Sequence, residues 1–586
     1  MQDRPTNRER IKEPVEVKPT CWEYSTLGAI SGIVMGQSPP SSTYNTEGTG
    51  LRFFQGKAEF GDLYPMAVKW CAEPAKIAER DDVLISVRAP VGPTNLAPSE
   101  CCIGRGLAAL RPTGGMPGRY ILYYLRSIES LVESLGTGTT FKAISGGILR
   151  ELRIPIAPLN EQKRIVAEIE KQFSRLDEAV TNLNRVDANL KRYKASVLKA
   201  AVEGKLTEQW RKEHPDVEPA DKLLNRILTE RRQKWEEAEL AKMKEKGIEP
   251  KDDHWKERYK EPFIPSYAHL PSLPSGWHWV TSDQVFGFVT SGSRGWAKYY
   301  SETGPIFLRV GNLDHDSITP DLENVQHVEP PKGAEGTRTR IESNDILISI
   351  TADVGMIALA PDDFHEAYIN QHISLARPVG SVNSKYLAWY LAARPGQKQF
   401  QDLQRGATKA GLGLDDIRSV NVPLPSMEEQ EEIVSEIERR IGIIDKSLRD
   451  IDLNLKRAER LRQSILKKAF SGKLVPQDPD DEPAKDLLAR IRIERGKHEI
   501  ELKRQKKKEK QTMKTPGKPS HGTKRDLIEV LKEANRPLKP EELFSLAGYK
   551  AEEVEEFYSD LKMADKGTLI SQVKKKNGEV YLKAAL

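Results

Sequence analysis

Residues 158–180 read PLNEQKRIVAEIEKQFSRLDEAV, and residues 425–448 read PSMEEQEEIVSEIERRIGIIDKSL. The two stretches align at a constant offset of 268 residues, which pairs Asp177 with Asp445. Downstream, the same offset pairs Gly204-Lys205-Leu206 with another Gly-Lys-Leu. Because this register holds over such a length, it indicates an internal duplication and therefore two equivalent structural halves.

Apolar residues in both copies advance in steps of three and four, with charged residues between them. This spacing, with a period near 3.5, predicts a coiled-coil seam. A helix from Asn160 to Glu203 would extend about 65 Å, and its single apolar stripe needs a partner. We expect that partner to be the duplicate, packed antiparallel because a globular segment separates the two. The alternative, that each helix lies on its own domain, is disfavoured by the length of the seam. The predicted seam comprises Ile165, Ile169, Phe173, Leu176, Val180, Leu183, Val186, Leu190, Tyr193 and Val197 in the first helix, and Ile433, Ile437, Ile441, Ile444, Leu448, Ile451, Leu455, Leu461 and Ile465 in the second.

Two segments of similar size precede the two helices, and both are rich in short strand patterns. Residues 82–86 read DVLIS, and residues 345–349 read DILIS. An Asp followed by an apolar run is typical of a turn that enters a buried strand. The strand positions of the two segments agree while the loop residues differ. This pattern predicts one scaffold that presents two different surfaces.

The predicted fold class is α+β, with two similar globular domains separated by two long antiparallel coiled-coil helices in pseudo-two-fold arrangement. A small C-terminal domain follows, in which three helices and a hairpin turning at Asn577-Gly578 predict a winged-helix-like fold; a generic small bundle or protein-docking module is the alternative. The predicted segments are a disordered tail at 1–20, the N-terminal domain at 21–158, a long helix at 159–206, a charged helix and Pro-rich linker at 207–276, the central domain at 277–425, a second long helix at 426–474, a helix and flexible basic linker at 475–523, and the C-terminal domain at 524–586.

Composition excludes several classes of protein. The net charge of +5 over 586 residues neither requires nor excludes a nucleic-acid partner. No window approaches 18 uninterrupted apolar residues, so we expect no membrane span. The four cysteines lack Cys-x-x-Cys spacing, which argues against a zinc site and favours a reduced, cytoplasmic protein.

The sequence also lacks the usual signatures of catalysis. It contains no phosphate-binding G-x-x-x-x-G-K-[ST] loop, no H-E-x-x-H metal motif, and no Asn/Asp-Pro-Pro-Tyr/Phe segment of amino-methyltransferases. We therefore predict no catalytic residue and no metal ligand in this chain. A cryptic nuclease or methyltransferase site is one alternative, and a coiled-coil DNA scaffold without sequence specificity is another.

Several motifs resemble one known family. In the second half these are GWHWV at 276–280, IFLRVGN at 306–312, INQHI at 369–373 and VPLPSMEEQEEIV at 422–434. In the first half, GQSP at 36–39, FFQGK at 53–57, GTGTTFKAI at 136–144 and IPIAPLNEQKRIV at 154–166 follow in the same order. This order is similar to that of the specificity subunits of Type I restriction–modification systems, over about residues 21–497.

The resemblance implies a non-catalytic, sequence-specific DNA-binding subunit. Its two target-recognition domains, at 21–158 and 277–425, would each read half of a bipartite site in double-stranded DNA, while the helices fix the spacer. Partners would be two modification (methyltransferase) subunits and two restriction (ATP-dependent translocase and nuclease) subunits, which would carry S-adenosylmethionine, ATP and Mg. This chain itself would bind no cofactor. The helices, Glu218–Arg232 and Glu482–Arg495 are candidate docking surfaces, with a solvated charged face as the alternative.

Loop residues with side-chain donors are the candidate DNA contacts. Arg suits guanine, and Asn or Gln suits adenine, while many other donors only position the phosphates. We expect Thr139, Thr140, Gly406 and Thr408 to contact the DNA backbone. The candidates are Gln37, Ser38, Gln55, Lys57, Arg88, Arg105, Thr139, Thr140 and Lys142 in the N-terminal domain, and Ser293, Arg294, Arg309, Asn312, Asn370, Gln371, His372, Arg405, Thr408 and Lys409 in the central domain.

Overall fold

The computed structural model describes residues 19–138, 142–250, 252–266, 269–404, 411–512, 525–566, 569–574 and 580–585. The chain forms two compact units, Met1–Ala484 and Lys485–Leu586. The first unit contains the N-terminal domain, both long helices and the central domain. Most of the predicted disordered tail lies outside the described residues.

The N-terminal domain is built from short strands and four short helices. A four-stranded sheet has the order β2-β10-β7-β8, a second sheet has the order β3-β5-β4-β9-β6, and β1 pairs with β11. The strands are β1 Glu23–Thr26, β2 Ser31–Met35, β3 Tyr44–Asn45, β4 Leu51–Phe54, β5 Trp70–Cys71, β6 Ile77–Ala78, β7 Val83–Ser86, β8 Thr94–Leu96, β9 Cys101–Ile103, β10 Leu107–Pro112 and β11 Arg153–Ile156. The helices are α1 Leu27–Ile30, α2 Gly118–Ser127, α3 Glu129–Ser134 and α4 Gly146–Glu151.

The central domain repeats this topology. Its four-stranded sheet has the equivalent order β13-β19-β16-β17, and β12 pairs with β20, but the remaining sheet has only three strands, β15-β14-β18. The strands are β12 His278–Thr281, β13 Phe286–Ser291, β14 Tyr300–Leu308, β15 Gln326–Val328, β16 Ile346–Ser349, β17 Ile357–Leu359, β18 Ala367–Ile369, β19 Ile373–Pro378 and β20 Asn421–Leu424. The helices, numbered after those of the preceding segments, are α8 Ser282–Val285, α9 Ala334–Thr339, α10 Ser384–Ala392, α11 Arg394–Leu403 and α12 Leu414–Arg418.

The repeated Asp-apolar motifs form the centre of each four-stranded sheet. Asp81 and Asn344 have φ near +66° and +67°, in the left-handed region that short polar side chains tolerate in turns. Every residue of β7 and of β16 is buried. The carboxylate after each turn residue, on Asp82 in one domain and Asp345 in the other, accepts two hydrogen bonds from an arginine of the neighbouring strand. The duplicated motif therefore forms the same buried strand and ion pair twice.

The two long helices are α5, Leu159–Val202, and α13, Met427–Phe470, each of 44 residues. At 1.5 Å per residue each extends about 66 Å. Lys194 Nζ lies 2.8 Å from Asp445 Oδ1, and Arg462 forms an ion pair with Asp177. Asp177 lies seventeen residues before Lys194 in α5, whereas its partner Arg462 lies seventeen residues after Asp445 in α13. The helices therefore pack side by side and antiparallel, as the sequence predicts.

Burial along the predicted seam is uneven. Seam residues near the helix ends are buried, including Ile165, Ile169 and Val197. The prediction is wrong for Val186, Tyr193 and Leu461, whose exposed fractions are 45%, 48% and 42%. A contact between only two helices covers one side of a residue, whereas at each end a domain adds a further layer. The small residues Ala201, Ala458 and Ala469, which the seam prediction omits, are buried instead. Phe173, Leu176, Val180, Leu183, Leu190, Leu448 and Leu455 are half-buried, and Ile433, Ile437, Ile441, Ile444, Ile451 and Ile465 are buried.

Residues 207–276 contain two helices where we predict one charged helix and a Pro-rich linker. They form α6, Glu208–Glu213, and α7, Ala220–Glu245, and the Pro-rich stretch then packs on the central domain. Phe263 donates its backbone N–H to Asp283 and accepts a 2.6 Å hydrogen bond from Thr281 Oγ1. These polar contacts, with the buried ring of Trp255, hold the stretch in place.

The second unit begins within α14, Ala484–Thr512. The prediction of a flexible linker is wrong for residues 496–512, because charged residues such as Lys, Glu and Arg favour helix and α14 continues through them. The C-terminal domain contains α15 Leu527–Ala534, α16 Pro540–Leu546, α17 Val554–Lys566, β21 Ile570–Lys574 and β22 Val580–Ala584. The predicted turn at Asn577-Gly578 lies outside the described residues. Within the described parts of the chain, no helix is long and apolar enough to cross a membrane.

Candidate DNA interface and its supporting helix pair

The candidate DNA contacts of the N-terminal domain converge where several strands end. We call residues 36–38, 55, 88, 104–106 and 142–144 the N-terminal loop cluster. Its centre is the turn at 104–106, where Gly104 donates its N–H to Phe54 O at 2.8 Å and Gly106 O accepts from Val87 N at 2.9 Å. Ile144 N then donates to Val87 O at 3.0 Å, so segments distant in sequence are joined by their backbones.

The central domain builds an equivalent cluster from residues 292–294, 309, 351, 370–372 and 411–412, which we call the central loop cluster. Asn370 N donates to Leu308 O at 3.1 Å, Ile350 N donates to His372 O at 2.9 Å, and Leu412 N donates to Ile350 O at 2.9 Å. These three bonds repeat those of the N-terminal cluster at matching positions. The two clusters thus share a backbone framework.

In each loop cluster a glycine lies against the turn at 104–106 or 370–372, because the two backbone segments approach closely there. A Cβ atom on Gly36 would lie 2.1 Å from Gly104 O, and one on Gly292 would lie 2.3 Å from Asn370 O. Both distances are far below any allowed contact. Only glycine allows the chain directly after β2, or after β13, to approach the turn this closely.

The structure brings most of the N-terminal candidates together. Gln37, Arg88, Arg105 and Lys142 are exposed in the cluster, whereas Ser38 and Gln55 are half-buried. The hydroxyl oxygen of Ser38 accepts a 3.3 Å hydrogen bond from the backbone N–H of Arg105. Lys57 lies apart from them.

Lys57 lines a cavity of about 320 Å³ between the N-terminal domain and the helix pair. Phe173 and Arg462 of the helices line the same cavity. Lys57 therefore faces the helix pair, which makes it a weaker candidate for DNA contact than its sequence position suggests.

The central candidates divide into exposed and structural residues. Arg294 and Arg309 are exposed, and Gln371 and His372 are half-buried. Ser293 Oγ accepts a 2.7 Å hydrogen bond from Arg338, which also binds backbone oxygen at Ser291. Arg338, missed by sequence reasoning, therefore holds the strand end that leads into the cluster.

Two of the predicted DNA contacts, Asn312 and Asn370, are buried and hydrogen-bonded within the central domain. Asn312 is 4% exposed; its amide donates to Asp321 O and accepts from the backbone N–H of Arg309. Asn370 is 7% exposed, and its Oδ1 accepts from the backbone N–H of His372. Local backbone groups satisfy these amides, as is common for Asn in turns. Thr139, Thr140, Arg405, Gly406, Thr408 and Lys409 lie outside the described residues.

Thr351, which the sequence reasoning also missed, belongs to the central cluster. It forms a bridge with Gly411, as Arg88 does with Ala143, and its hydroxyl is hydrogen-bonded to His372 Nδ1. The DVLIS and DILIS repeats carried the signal, because aligning them places Thr351 opposite Arg88. The predictions considered the arginine only.

At the base of each domain, a tryptophan indole donates a hydrogen bond to a buried glutamate of a long helix. Trp22 Nε1 donates to Glu161 at 2.9 Å, and Trp277 Nε1 donates to Glu429 at 2.8 Å. Arg211 also binds Glu429, with Nη2 2.6 Å from Oε1. The corresponding Glu161 Oε1 is buried without a hydrogen-bond partner among the described residues. Burial raises the pKa of Glu161, although the indole N–H acts in the opposite direction.

Each domain contacts the start of one long helix and the end of the other. Tyr120 and Tyr124 of α2 pack at 5.2 Å on the ring of Phe470, at the end of α13. In the central domain, one core joins Ala201 at the end of α5 with Ile433 at the start of α13. The two domains therefore sit at opposite ends of the helix pair.

One candidate docking segment is partly occupied within the chain. Leu223 and Ile227 of Glu218–Arg232 are buried, and Glu230 accepts a 2.6 Å hydrogen bond from Ser381 of the central domain. Only the opposite face of α7 is available to a partner.

Across the described ranges, no group of three His, Cys, Asp or Glu residues could hold a metal ion.

Comparison with known proteins identifies the class of protein. A family profile described as "Type I restriction modification DNA specificity domain" matches residues 19–186 and 335–450. The putative type I restriction enzyme MjaX specificity subunit of Methanocaldococcus jannaschii is 41% identical over 191 residues, which cover 32% of this chain and 44% of that protein. The EcoKI specificity subunit of Escherichia coli K12 is 24% identical over 463 residues, or 75% of this chain and 86% of that protein.

A solved structure shares the fold. A chain from a study titled as the structural basis of complex assembly and conformational transition of the type I R-M system is matched over all of its length and 78% of this chain, with a TM-score of 0.56 and 18% identity. This chain belongs to the type I restriction–modification specificity subunits. The resemblance seen in the sequence is thereby confirmed.

Proposed function

We propose that this chain is the DNA sequence-specificity subunit of a type I restriction–modification complex and has no catalytic activity of its own. The N-terminal domain would read one half of a bipartite site, and the central domain would read the other. The observation that carries this proposal is the pair of equivalent loop clusters, held on domains at opposite ends of two antiparallel helices. Family membership supports the same reading.

The two ion pairs of the helices support a pseudo-two-fold arrangement. The offset of 268 residues converts Asp177 into Asp445 and Lys194 into Arg462. The pair Asp177–Arg462 is therefore converted into the pair Lys194–Asp445, and both occur. A two-fold axis through the middle of the helix pair would exchange them. Such an axis would also exchange the two domains and present their loop clusters to the same DNA duplex.

If the helices are stiff, the distance between the two domains would determine the spacer length. The stretch over which the two helices face each other is about 34 residues, or roughly 50 Å. Each added base pair moves a half-site about 3.4 Å along the DNA axis and turns it by about one tenth of a revolution. A helix pair joined by side-chain packing and ion pairs cannot follow that change, so one spacer length should be preferred.

We further propose that the described middle of the helix pair docks the modification subunits. Ile443 and Leu453 of α13 are 60% and 62% exposed, which is unusual for apolar residues on a packed helix. The offset of 268 residues gives Arg175 and Arg185 at the equivalent positions of α5, so the apolar face itself is not repeated. That there are two modification subunits, through which two restriction subunits join, is proposed from the family resemblance. S-adenosylmethionine, ATP and Mg would belong to those partners. We also place the complex in the cytoplasm, where free cysteines such as the four of this chain stay reduced.

For the C-terminal domain we propose a winged-helix-like fold that docks protein. Its element order supports the fold, and Leu538 bridges to Leu582 beside the hairpin. In a DNA-binding winged helix the third helix enters the groove. Here α17 carries Glu555, Glu556 and Asp560, which would repel phosphates.

Binding to duplexes with varied spacers tests the main proposal. The chain, purified with its modification partner, should bind one bipartite sequence, with affinity falling at least tenfold for each change of spacer by two base pairs. Binding that tolerates any spacer would contradict the fixed-separation proposal. DNA cleavage or methyl transfer by the chain alone would favour the enzyme alternative, and footprints without sequence preference would favour the scaffold.

A further inference from the structure

The turns at 104–106 and 370–372 place Arg105 and Gln371 at the same position in two equivalent frameworks. In each turn the residue before donates its N–H to the strand alongside, and the residue after accepts from the next strand end. We infer that Arg105 and Gln371 are base-reading residues, the first selecting guanine in one half-site and the second adenine in the other. This inference rests on the proposed function and names the residues that carry it out.

The backbone holds each turn without help from either side chain. Arg105 stands between Gly104 and Gly106 and is exposed. Leu107 N donates to Gly104 O at 3.0 Å, as Ile373 N donates to Asn370 O at 3.2 Å. The side chains at positions 105 and 371 are therefore free to differ between the domains, while their Cα atoms are fixed by rigid elements.

Gln371 is further oriented by its neighbour. Its Nε2 lies 2.9 Å from His372 Nε2, and because an amide –NH₂ can only donate, the histidine nitrogen accepts. His372 Nδ1 then carries the proton and donates to Thr351 Oγ1. This relay fixes the amide with Oε1 directed away from the imidazole ring. His372 and Thr351 are thus positioning residues for Gln371.

The two side chains match different base edges. Guanidinium donors pair with guanine O6 and N7, both acceptors in the major groove. An amide that offers Oε1 and a second N–H pairs with adenine N6 and N7. The orientation imposed by His372 leaves Gln371 with that acceptor and donor. A good bidentate contact discriminates between bases by about ten- to a hundredfold.

Reciprocal substitution tests the assignment in the complete complex. Methylation mapping or selection from randomised duplexes first defines both half-sites for the wild-type chain with its modification partner. Arg105→Gln should then change one guanine of one half-site to adenine and leave the other half-site unaltered. Gln371→Arg should make the opposite change in the other half-site. Arg80→Gln is a matched control, because Arg80 is exposed and pairs only with its neighbour Asp81 among the contacts described.

The positioning role has a separate test. His372→Ala should reduce the preference for adenine at the Gln371 position about tenfold while preferences at all other positions persist. His372→Asn, whose Oδ1 can accept from Gln371, should restore part of that preference. Loss of affinity for all sequences alike would mean that His372 is merely structural.

The outcomes separate this inference from the function it rests on. If the wild-type complex has a defined bipartite site but Arg105→Gln and Gln371→Arg weaken binding uniformly, the two residues contact phosphates and the inference fails. If both variants keep the wild-type site, they do not read bases, and the inference also fails. If the wild-type complex shows no sequence preference at all, the proposed function itself is wrong.

Discussion

The two buried glutamates at the domain bases allow a matched test of how each domain is anchored. Glu429 is 2% exposed and accepts from Trp277, Thr207 and Arg211. In Glu429→Gln, the amide presents N–H groups to the guanidinium donors, and Arg211 becomes a largely buried cation without its anion. Breaking such a pair costs about 3–5 kcal/mol. Because the Arg211 side chain is 18% exposed, we expect a loss near the lower end, about 3 kcal/mol.

The equivalent substitution in the N-terminal domain should behave differently. Glu161 is fully buried; its Oε2 accepts from the Trp22 indole at 2.9 Å and from the Cys21 thiol at 4.0 Å, and its Oε1 has no hydrogen-bond partner in the described structure. Glu161→Gln keeps an acceptor for the indole and removes a poorly compensated charge. We therefore expect no loss of stability, and a change within about 1 kcal/mol at neutral pH.

The pH dependence has a definite sign. The pKa of Glu161 is raised by burial above its ordinary value of 4.5, so the folded chain holds this proton more tightly than the unfolded chain. Stability at this site is therefore lost as pH rises from about 4.5 through the raised pKa. Glu161→Gln carries no such proton, so its stability relative to wild type should improve as pH rises above about 4.5.

Hydrogen exchange of the purified chain measures both effects separately. Exchange of β1, next to Trp22, reports on the N-terminal domain, and exchange of β12, next to Trp277, reports on the central domain. Glu429→Gln should accelerate exchange of β12 by roughly a hundredfold and leave β1 unaltered. If Glu161→Gln proves as damaging as Glu429→Gln, the reasoning from hydrogen-bond partners is refuted.

Three further predictions follow from single contacts. Tyr386→Phe should lower the free energy of unfolding by about 1 kcal/mol in denaturant titration, since the buried hydroxyl donates to Pro423 O at 2.5 Å. A double-mutant cycle on Lys194 and Asp445 should give a coupling of about 0.5–1 kcal/mol, because the ammonium is largely covered. Arg88→Gln should weaken binding to all DNA sequences alike and reduce the slope of log K against log salt by about 1, measured by fluorescence anisotropy.

The duplication predicts the helical framework closely. The first helix, expected from Asn160 to Glu203, spans Leu159–Val202, and its antiparallel pairing with the second copy follows from the order of segments. Periodicity could not reveal that Val186 and Tyr193 are exposed, because spacing identifies a face of a helix and not the number of layers that cover it. The domains supply that cover only near the helix ends.

For the candidate site, too, the sequence predicts which segments come together but not which side chains the fold uses up. The grouping of Arg88 and Arg105 could be predicted from the sequence, because the aligned motifs of the two halves place both residues shortly after strands. The role of Asn312 could not be assigned from sequence, because its amide donates to the backbone oxygen of Asp321, which it meets only in the folded domain. Asn370 accepts from the backbone N–H of His372, two residues away. An amide can read a base only if the fold leaves its oxygen and one N–H group without a partner, and this depends on loops distant in sequence.

The distribution of differences between the two halves itself constrains how such a protein changes its target. Some buried contacts that fix geometry are the same in both halves, as with the Tyr120 and Tyr386 hydroxyls that donate to equivalent proline carbonyls. The residues at the turn positions, Arg105 and Gln371, differ completely. Because the turns are held by backbone hydrogen bonds, a substitution there leaves the packing, and therefore the separation of the domains, unaltered. Under the proposed function, half-site sequence and spacer length can therefore evolve independently, the first through turn residues and the second through the length of the helix pair.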